Sequence, residues 1–177
     1  MNQKRNIENI KKNYSLGIIG GGQLALMLAE AANKRGIKVC VQTKSSSDPA
    51  GSKADCVIEA DPLKVKGNKE LIKECEKITF ENEWIKIEKL NLIDSKNIFV
   101  PSLESIQPLV DRISQKKLIN RMNLPSPKWI SLREFKSLDD EEIKSWNFPL
   151  MVKSYKGGYD GKGNKKINSK NDLNSFL

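Results

Sequence analysis

The apolar positions of this chain fall into short runs punctuated by glycine and proline, and the runs predict alternating strands and helices. Leu16-Gly17-Ile18-Ile19 predicts a strand and Gly20-Gly21-Gly22 a tight turn. Gln23 to Arg35 carries Leu24, Leu26, Met27, Leu28 and Ala31 and predicts a helix stopped by Gly36, and Ile37 to Val41 predicts the second strand. This is a βαβ opening unit. Its glycines stand at a helix N-terminus, where free N–H groups and the helix dipole favour an anion.

Further along, Cys56 to Glu59 predicts a third strand, Lys69 to Glu76 a short helix, and Ile78 to Phe80 a fourth strand. Trp84 to Leu92 follows as an amphipathic helix, Ile98 to Val100 as a strand ended by Pro101, and Ser102 to Val110 as a helix. Met1 to Tyr14 is polar and basic without an apolar face, and is expected to be a loose tail or an extra short helix. After Asp111-Arg112 a basic helix is expected over Ile113 to Met122, broken by Pro125 and Pro127. A new unit then reads as strand Lys128 to Ile130, helix Leu138 to Trp146, strand Leu150 to Lys153, a strand around Lys166-Ile167, and a helix from Asn171.

Between the last two strands lies Gly157-Gly158-Tyr159-Asp160-Gly161-Lys162-Gly163-Asn164. Its glycines permit positive φ, so several amides can converge on one anion, with Lys153 and Lys162 adding charge. That predicts a polyphosphate cradle; a flexible basic hairpin tip is the plainer reading. A Walker A loop is excluded, because only three residues separate Gly157 from Gly161-Lys162 and Gly163, not Ser or Thr, comes next.

Composition changes this picture little. A hydrophobic share of 38% and a charged share of 30% are ordinary for a globular chain. No apolar run approaches a membrane span and no hydrophobic signal core opens the chain, so a cytoplasmic protein without membrane partners is expected. The net charge of +9 is mostly lysine spread through every segment, with arginine only at 5, 35, 112, 121 and 133. Such scatter reads as solvated surface rather than a nucleic-acid footprint, while still favouring small anions. With no histidine, catalysis would rest on carboxylates, lysine or the substrate's own phosphates. Cys40, Cys56 and Cys75 lack zinc-site spacing; Cys40 and Cys56 read as buried reduced thiols.

Two positions remain open on local sequence. Gly20, Gly22 and Ala25 fit a dinucleotide fingerprint, but the second strand ends Val41-Gln42-Thr43-Lys44, without the acid that would hold a ribose. A phosphate-binding or purely structural turn is the better account. Glu81 and Asn82, beyond the fourth strand, are placed to hold an amine or hydroxyls, or else form a polar turn with Asn82 as an N-cap.

Taken in order, Gly20-Gly21-Gly22-Gln23-Leu24, Phe80-Glu81-Asn82, Asp111-Arg112 with Gln115-Lys116 and Leu118, and Val152-Lys153 before Gly157-Gly158-Tyr159-Asp160-Gly161-Lys162-Gly163 form a specific series. From Ser15 onward the chain resembles the N-terminal half of the N5-carboxyaminoimidazole ribonucleotide synthetases, ATP-grasp ligases of purine synthesis. The resemblance implies an α/β fold: a Rossmann-like preATP-grasp domain with a parallel sheet over 15–111, then the first part of an ATP-grasp domain over 112–177, after a basic tail at 1–14. It implies ATP-dependent carboxylation of aminoimidazole ribonucleotide with bicarbonate, through carboxyphosphate, by an enzyme that is a homodimer at full length.

Carried over by position, the resemblance assigns Arg112, Lys153, Gly158, Tyr159, Asp160, Gly161, Lys162, Gly163 and Asn164 to ATP. It assigns Gly22, Gln23, Glu81, Asn82, Tyr159, Asp160 and Lys162 to the ribonucleotide, with Lys153, Asp160 and Lys162 catalytic. Mg²⁺ ligands are expected in a C-terminal half beyond Leu177, so none is assigned here and this chain alone is not expected to be competent. Ala25-Leu26 and Asn164 depart from the family's usual Gly-Arg and Gln. Another ATP-grasp ligase or formyltransferase, a non-catalytic phosphate-binding module and a dinucleotide oxidoreductase are the competing readings.

Overall fold

The computed structural model describes residues 12–94, 97–157 and 162–176. The chain forms two compact units, Met1–Gln107 and Pro108–Leu177.

In the first unit, β1 (Tyr14–Ile19), β2 (Val39–Thr43), β3 (Cys56–Glu59) and β4 (Cys75–Phe80) make a parallel sheet in the order β3-β2-β1-β4. Leu16 pairs with Val39 and Lys77, and Cys40 pairs with Cys56. All five residues of β2 are buried, as expected for a parallel strand covered on both faces. Beyond β4 the sheet is extended by one parallel bridge, Ile78 to Phe99, where a full strand had been expected.

Helix α1 (Gln23–Asn33) covers one face. Its Ala25, Ala29 and Ala32 pack on Ile18, Val39 and Val41, and side chains this small let the helix lie close to the strands. Leu24, Met27 and Leu28 lie on the opposite, exposed side. Helix α2 (Val65–Glu74) packs against β1, β2 and β4. It begins four residues before the predicted Lys69 and runs directly into β4, so Cys75 and Glu76 are strand rather than helix.

A buried amide pair fixes α2 to β2. Asn68 donates to the Gln42 side-chain oxygen at 2.9 Å and to the Pro62 carbonyl at 3.2 Å, and Gln42 donates to the Asp61 carbonyl at 3.1 Å. Gln42 is therefore turned into the core and presents nothing to a ligand.

The predicted helix from Trp84 is shorter, α3 (Ile87–Asn91). The Asn82 side chain accepts from the Trp84 amide at 3.0 Å, a local turn five residues ahead of the helix rather than its N-cap. Residues 102–110 form α4 (Leu103–Ile106), capped by Ser102, followed by a 3-10 turn over Gln107–Leu109.

In the second unit, α5 (Arg112–Arg121) is capped by Asp111. Lys128 to Ile130 forms no strand. The helix expected over Leu138 to Trp146 is shorter, α7 (Asp140–Lys144), and it is preceded by a short helix that the apolar pattern does not predict, α6 (Leu132–Phe135). The reason is local: Ser131 with Glu134 and Asp139 with Glu142 each close a capping box, so each pair starts a new helix. Strands β5 (Leu150–Lys153) and β6 (Asn164–Ile167) pair antiparallel, and α8 (Lys170–Phe176) follows. Leu150 and Val152 turn toward a core built on Phe135, Ile167 and Leu173, while Met151 and Lys153 alternate outward.

Candidate functional site

The C-terminal ends of β1 and β4 bring the glycine turn and Glu81 together. Gly20 has φ +117°, a backbone that glycine adopts freely. The Gly22 amide donates to Glu81 Oε2 at 3.0 Å. A Cβ at Gly20 would lie 2.5 Å from the Glu81 Cβ, and one at Gly22 would overlap Glu81 Oε1. The glycines are there because a carboxylate rests on them. The anion expected at the α1 N-terminus is thus the chain's own Glu81, held by an amide and by the helix dipole.

This arrangement decides against the dinucleotide reading. A pyrophosphate at this turn would need the Gly22 N–H and would meet a carboxylate already bonded to it. An acid does stand at the end of β2, but it comes from the loop: the Thr43 hydroxyl donates to the Asp48 carboxylate. The strand-end sequence Gln42-Thr43-Lys44 gives no sign of it, because Asp48 lies five residues beyond Thr43 and is brought back by the turn over residues 45–48, where its amide donates to the Ser45 carbonyl at 3.0 Å. Gln23 is exposed on the first turn of α1, and Asn82 is half-buried beside Glu81.

The second unit carries a separate cleft of about 640 Å³, within the range of small-molecule sites. Arg112, Lys116, Lys128 and Lys153 line it, together with Trp129, Trp146 and Met151, and among the described residues no carboxylate does. Two of these lysines are tied down. Lys116 donates to Ser126 at 2.5 Å, and Lys128 lies 4.2 Å from the Trp146 ring centroid and 3.2 Å from the Ser145 hydroxyl. Among the described residues nothing pairs with the Lys153 ammonium, which is exposed. The Trp129 indole nitrogen is buried without a hydrogen-bond partner.

Arg112 is placed by the chain just after β5. Its amide donates to the Tyr155 carbonyl at 3.0 Å and its Nε to the Ser154 carbonyl at 3.1 Å. The start of α5 is thereby stitched to the strand that ends on Lys153. Burial opposes the charge of the capping Asp111, but the Ser114 amide and hydroxyl, with Lys156 nearby, outweigh it and hold the carboxyl below its ordinary range.

Of the glycine loop, Lys162, Gly163 and Asn164 are described, whereas Gly158, Tyr159, Asp160 and Gly161 lie outside the described residues. Gly163 has φ +81°, its carbonyl accepts from the Ser154 amide at 2.7 Å, and Asn164 pairs across from Lys153.

Residues 14–109 match the ribonucleotide synthetase preATP-grasp domain, and residues 117–177 match the ATP-grasp domain. The N5-carboxyaminoimidazole ribonucleotide synthase of Synechocystis sp. is 38% identical over 160 residues, 90% of this chain and 40% of the relative. Among solved structures, the Staphylococcus aureus N5-carboxyaminoimidazole synthetase complexed with ADP superposes with a TM-score of 0.83 at 35% identity, over 94% of this chain and 44% of that one. The Aspergillus clavatus enzyme in complex with ADP and 5-aminoimidazole ribonucleotide gives a TM-score of 0.76 at 25% identity, over 93% and 43%. This chain thus spans less than half the length of the relatives it matches.

Proposed function

The chain belongs to the ribonucleotide synthetase preATP-grasp family, and on that premise we propose that it carries the ribonucleotide-binding unit and part of the ATP-binding unit of an N5-carboxyaminoimidazole ribonucleotide synthase. The reaction transfers the ATP γ-phosphoryl group to bicarbonate. The exocyclic amine of aminoimidazole ribonucleotide then attacks the carboxyl carbon of the resulting carboxyphosphate, and phosphate leaves. The observation that carries the reading is the Glu81 carboxylate seated on Gly22, an acceptor held in place before any substrate arrives.

In this reading Glu81 accepts from the amine or a hydroxyl of the ribonucleotide, with Gly22, Gln23 and Asn82 around it. Arg112 and Lys153 neutralise the ATP phosphates from the second unit, and Lys162, Gly163 and Asn164 close the same side together with Gly158 to Gly161. Tyr159, Asp160 and Lys162 also face the ribonucleotide, with Asp160 positioning an amine or hydroxyl. Lys153, Asp160 and Lys162 are the proposed catalytic groups.

Magnesium is the metal proposed for the ATP phosphates. Among the described residues no carboxylate lines the cleft and no cluster of His, Cys, Asp or Glu is suited to a metal, so these residues do not fit it. No described helix is long and apolar enough to cross a membrane; a cytoplasmic homodimer completes the proposal.

The test is phosphate release from ATP, Mg²⁺ and bicarbonate with and without aminoimidazole ribonucleotide, run beside calorimetry with each ligand. Ribonucleotide-dependent release supports synthase activity in this chain. Binding of both ligands without release keeps the site assignment and leaves a binding module. A folded sample that binds neither overturns the proposal.

A further inference from the structure

We propose that Thr43 and Asp48 are positioning residues for the Glu81 carboxylate, acting through the single peptide that joins Gly21 to Gly22. The proposal rests on the reading of Glu81 as the ribonucleotide contact. A peptide unit is planar and trans, so its C=O and N–H point in opposite directions and fixing one aims the other. The Gly21 carbonyl accepts from the Ala50 amide at 2.9 Å, and the N–H of the same peptide meets Glu81 Oε2 at 3.0 Å. Whatever holds Ala50 in place therefore aims the Gly22 N–H.

Ala50 is held by the Asp48 turn. The Asp48 carboxylate accepts from the Thr43 hydroxyl and, at 3.3 Å, from the Ser45 amide; its carbonyl accepts from the Gly51 amide at 2.9 Å. Ala50 is fully buried and Thr43 is 2% exposed. Thr43 also lies against the Gly21 Cα, where an added Cβ would overlap its Cβ and Oγ1. Gly20 is fixed from the same strand, donating to the Gln42 carbonyl at 2.9 Å. The glycine turn is thus gripped by β2 and the loop after it, and the Gly22 N–H carries that grip to Glu81.

The variants Thr43→Val and Asp48→Asn remove the hydroxyl and the charge, and Thr43→Ser keeps the hydroxyl. The Gly22 amide resonance is followed by ¹⁵N–¹H NMR in the full chain, with Glu81→Gln marking its position without the carboxylate. Affinities for aminoimidazole ribonucleotide and ADP are measured in parallel. We expect the Gly22 resonance to move toward its Glu81→Gln position in Thr43→Val and Asp48→Asn but not in Thr43→Ser. Ribonucleotide affinity should fall about tenfold while ADP affinity holds, since small misplacement of a contact is enough for that loss.

A Gly22 resonance unmoved in folded Thr43→Val and Asp48→Asn overturns the proposal, as does a parallel loss of both affinities. If Thr43→Val does not fold, Asp48→Asn, close in shape to the native residue, carries the same comparison. A wild-type chain that binds no ribonucleotide while Gly22 still responds removes the functional reading and leaves the positioning intact.

Discussion

Gly22 and Glu81 are 59 residues apart in sequence and 3.0 Å apart from amide nitrogen to carboxylate oxygen. Parallel pairing of β1 with β4 brings them together, since Ile19 pairs with Phe80 and the next residues on each strand are the turn and the acid. The glycine turn and the acid are therefore the two halves of the proposed ribonucleotide contact. The Gly22 amide stabilises the negative side chain, an arrangement that suits an amine-bearing ligand better than a phosphate.

Gly22→Ala should displace Glu81, because the new Cβ would overlap Oε1. The overpacked turn is expected to lose about 1–3 kcal/mol of stability. Urea unfolding of Gly22→Ala, Glu81→Ala and the double variant checks this. The cost at Gly22 should shrink once Glu81 is gone, and an unchanged cost would place the clash elsewhere.

Lys153→Ala is expected to weaken ADP binding about tenfold or more at low salt, since one charge-assisted contact is worth roughly 1.5–3 kcal/mol. The ammonium is exposed, so the wild-type advantage should narrow as salt screens it. Isothermal titration at two ionic strengths measures both effects, and equal affinities at low salt would remove Lys153 from the site.

Asp111→Ala should cost about 1 kcal/mol through loss of the cap on α5. The folded carboxyl titrates below its ordinary value of 3.8, so protonation favours the unfolded chain. The stabilisation from this charge is complete above that value and is lost as pH falls through the depressed one. Wild type and variant should accordingly converge in stability under acid, as thermal melts across that range would show.

The thiols should be inert in the folded chain. Cys40 and Cys75 are fully buried, Cys56 is half-buried, and all three are free. The neighbouring Cys75 and burial push the Cys40 thiol well up, and burial raises Cys56. The Tyr14 hydroxyl, hydrogen-bonded to Cys56, is pushed up to about 12. An aromatic disulfide reagent at neutral pH is expected to react slowly with Cys56, and with Cys40 and Cys75 only after urea is added. Fast reaction of all three under native conditions would contradict the packing around β2.

The apolar runs were enough to place β1, β3 and β5 and the start of α1, because each is short, apolar and bounded by glycine, proline or a charge. They were poor at the second unit's helices. There the decisive signals were polar, the pairs Ser131/Glu134 and Asp139/Glu142: the first starts α6, which the apolar pattern does not show, and the second sets the start of α7. Glu81 stood out as an acid at a strand end, yet nothing local revealed that it rests on Gly22. That contact is set by strand order. Asp48 was missed for a similar reason: its partner Thr43 is on the preceding strand, and only the turn between them returns its carboxylate.

The bond from the Ser154 amide to the Gly163 carbonyl closes the neck of the hairpin above the last pair, Lys153 with Asn164. The register of β5 and β6 is thereby held by bonds among residues 150–154 and 163–167. For an engineer, that separates two tasks: variants beyond the neck probe the proposed ligand contacts, while the bond at Ser154 and the pair Lys153 with Asn164 keep the strands paired.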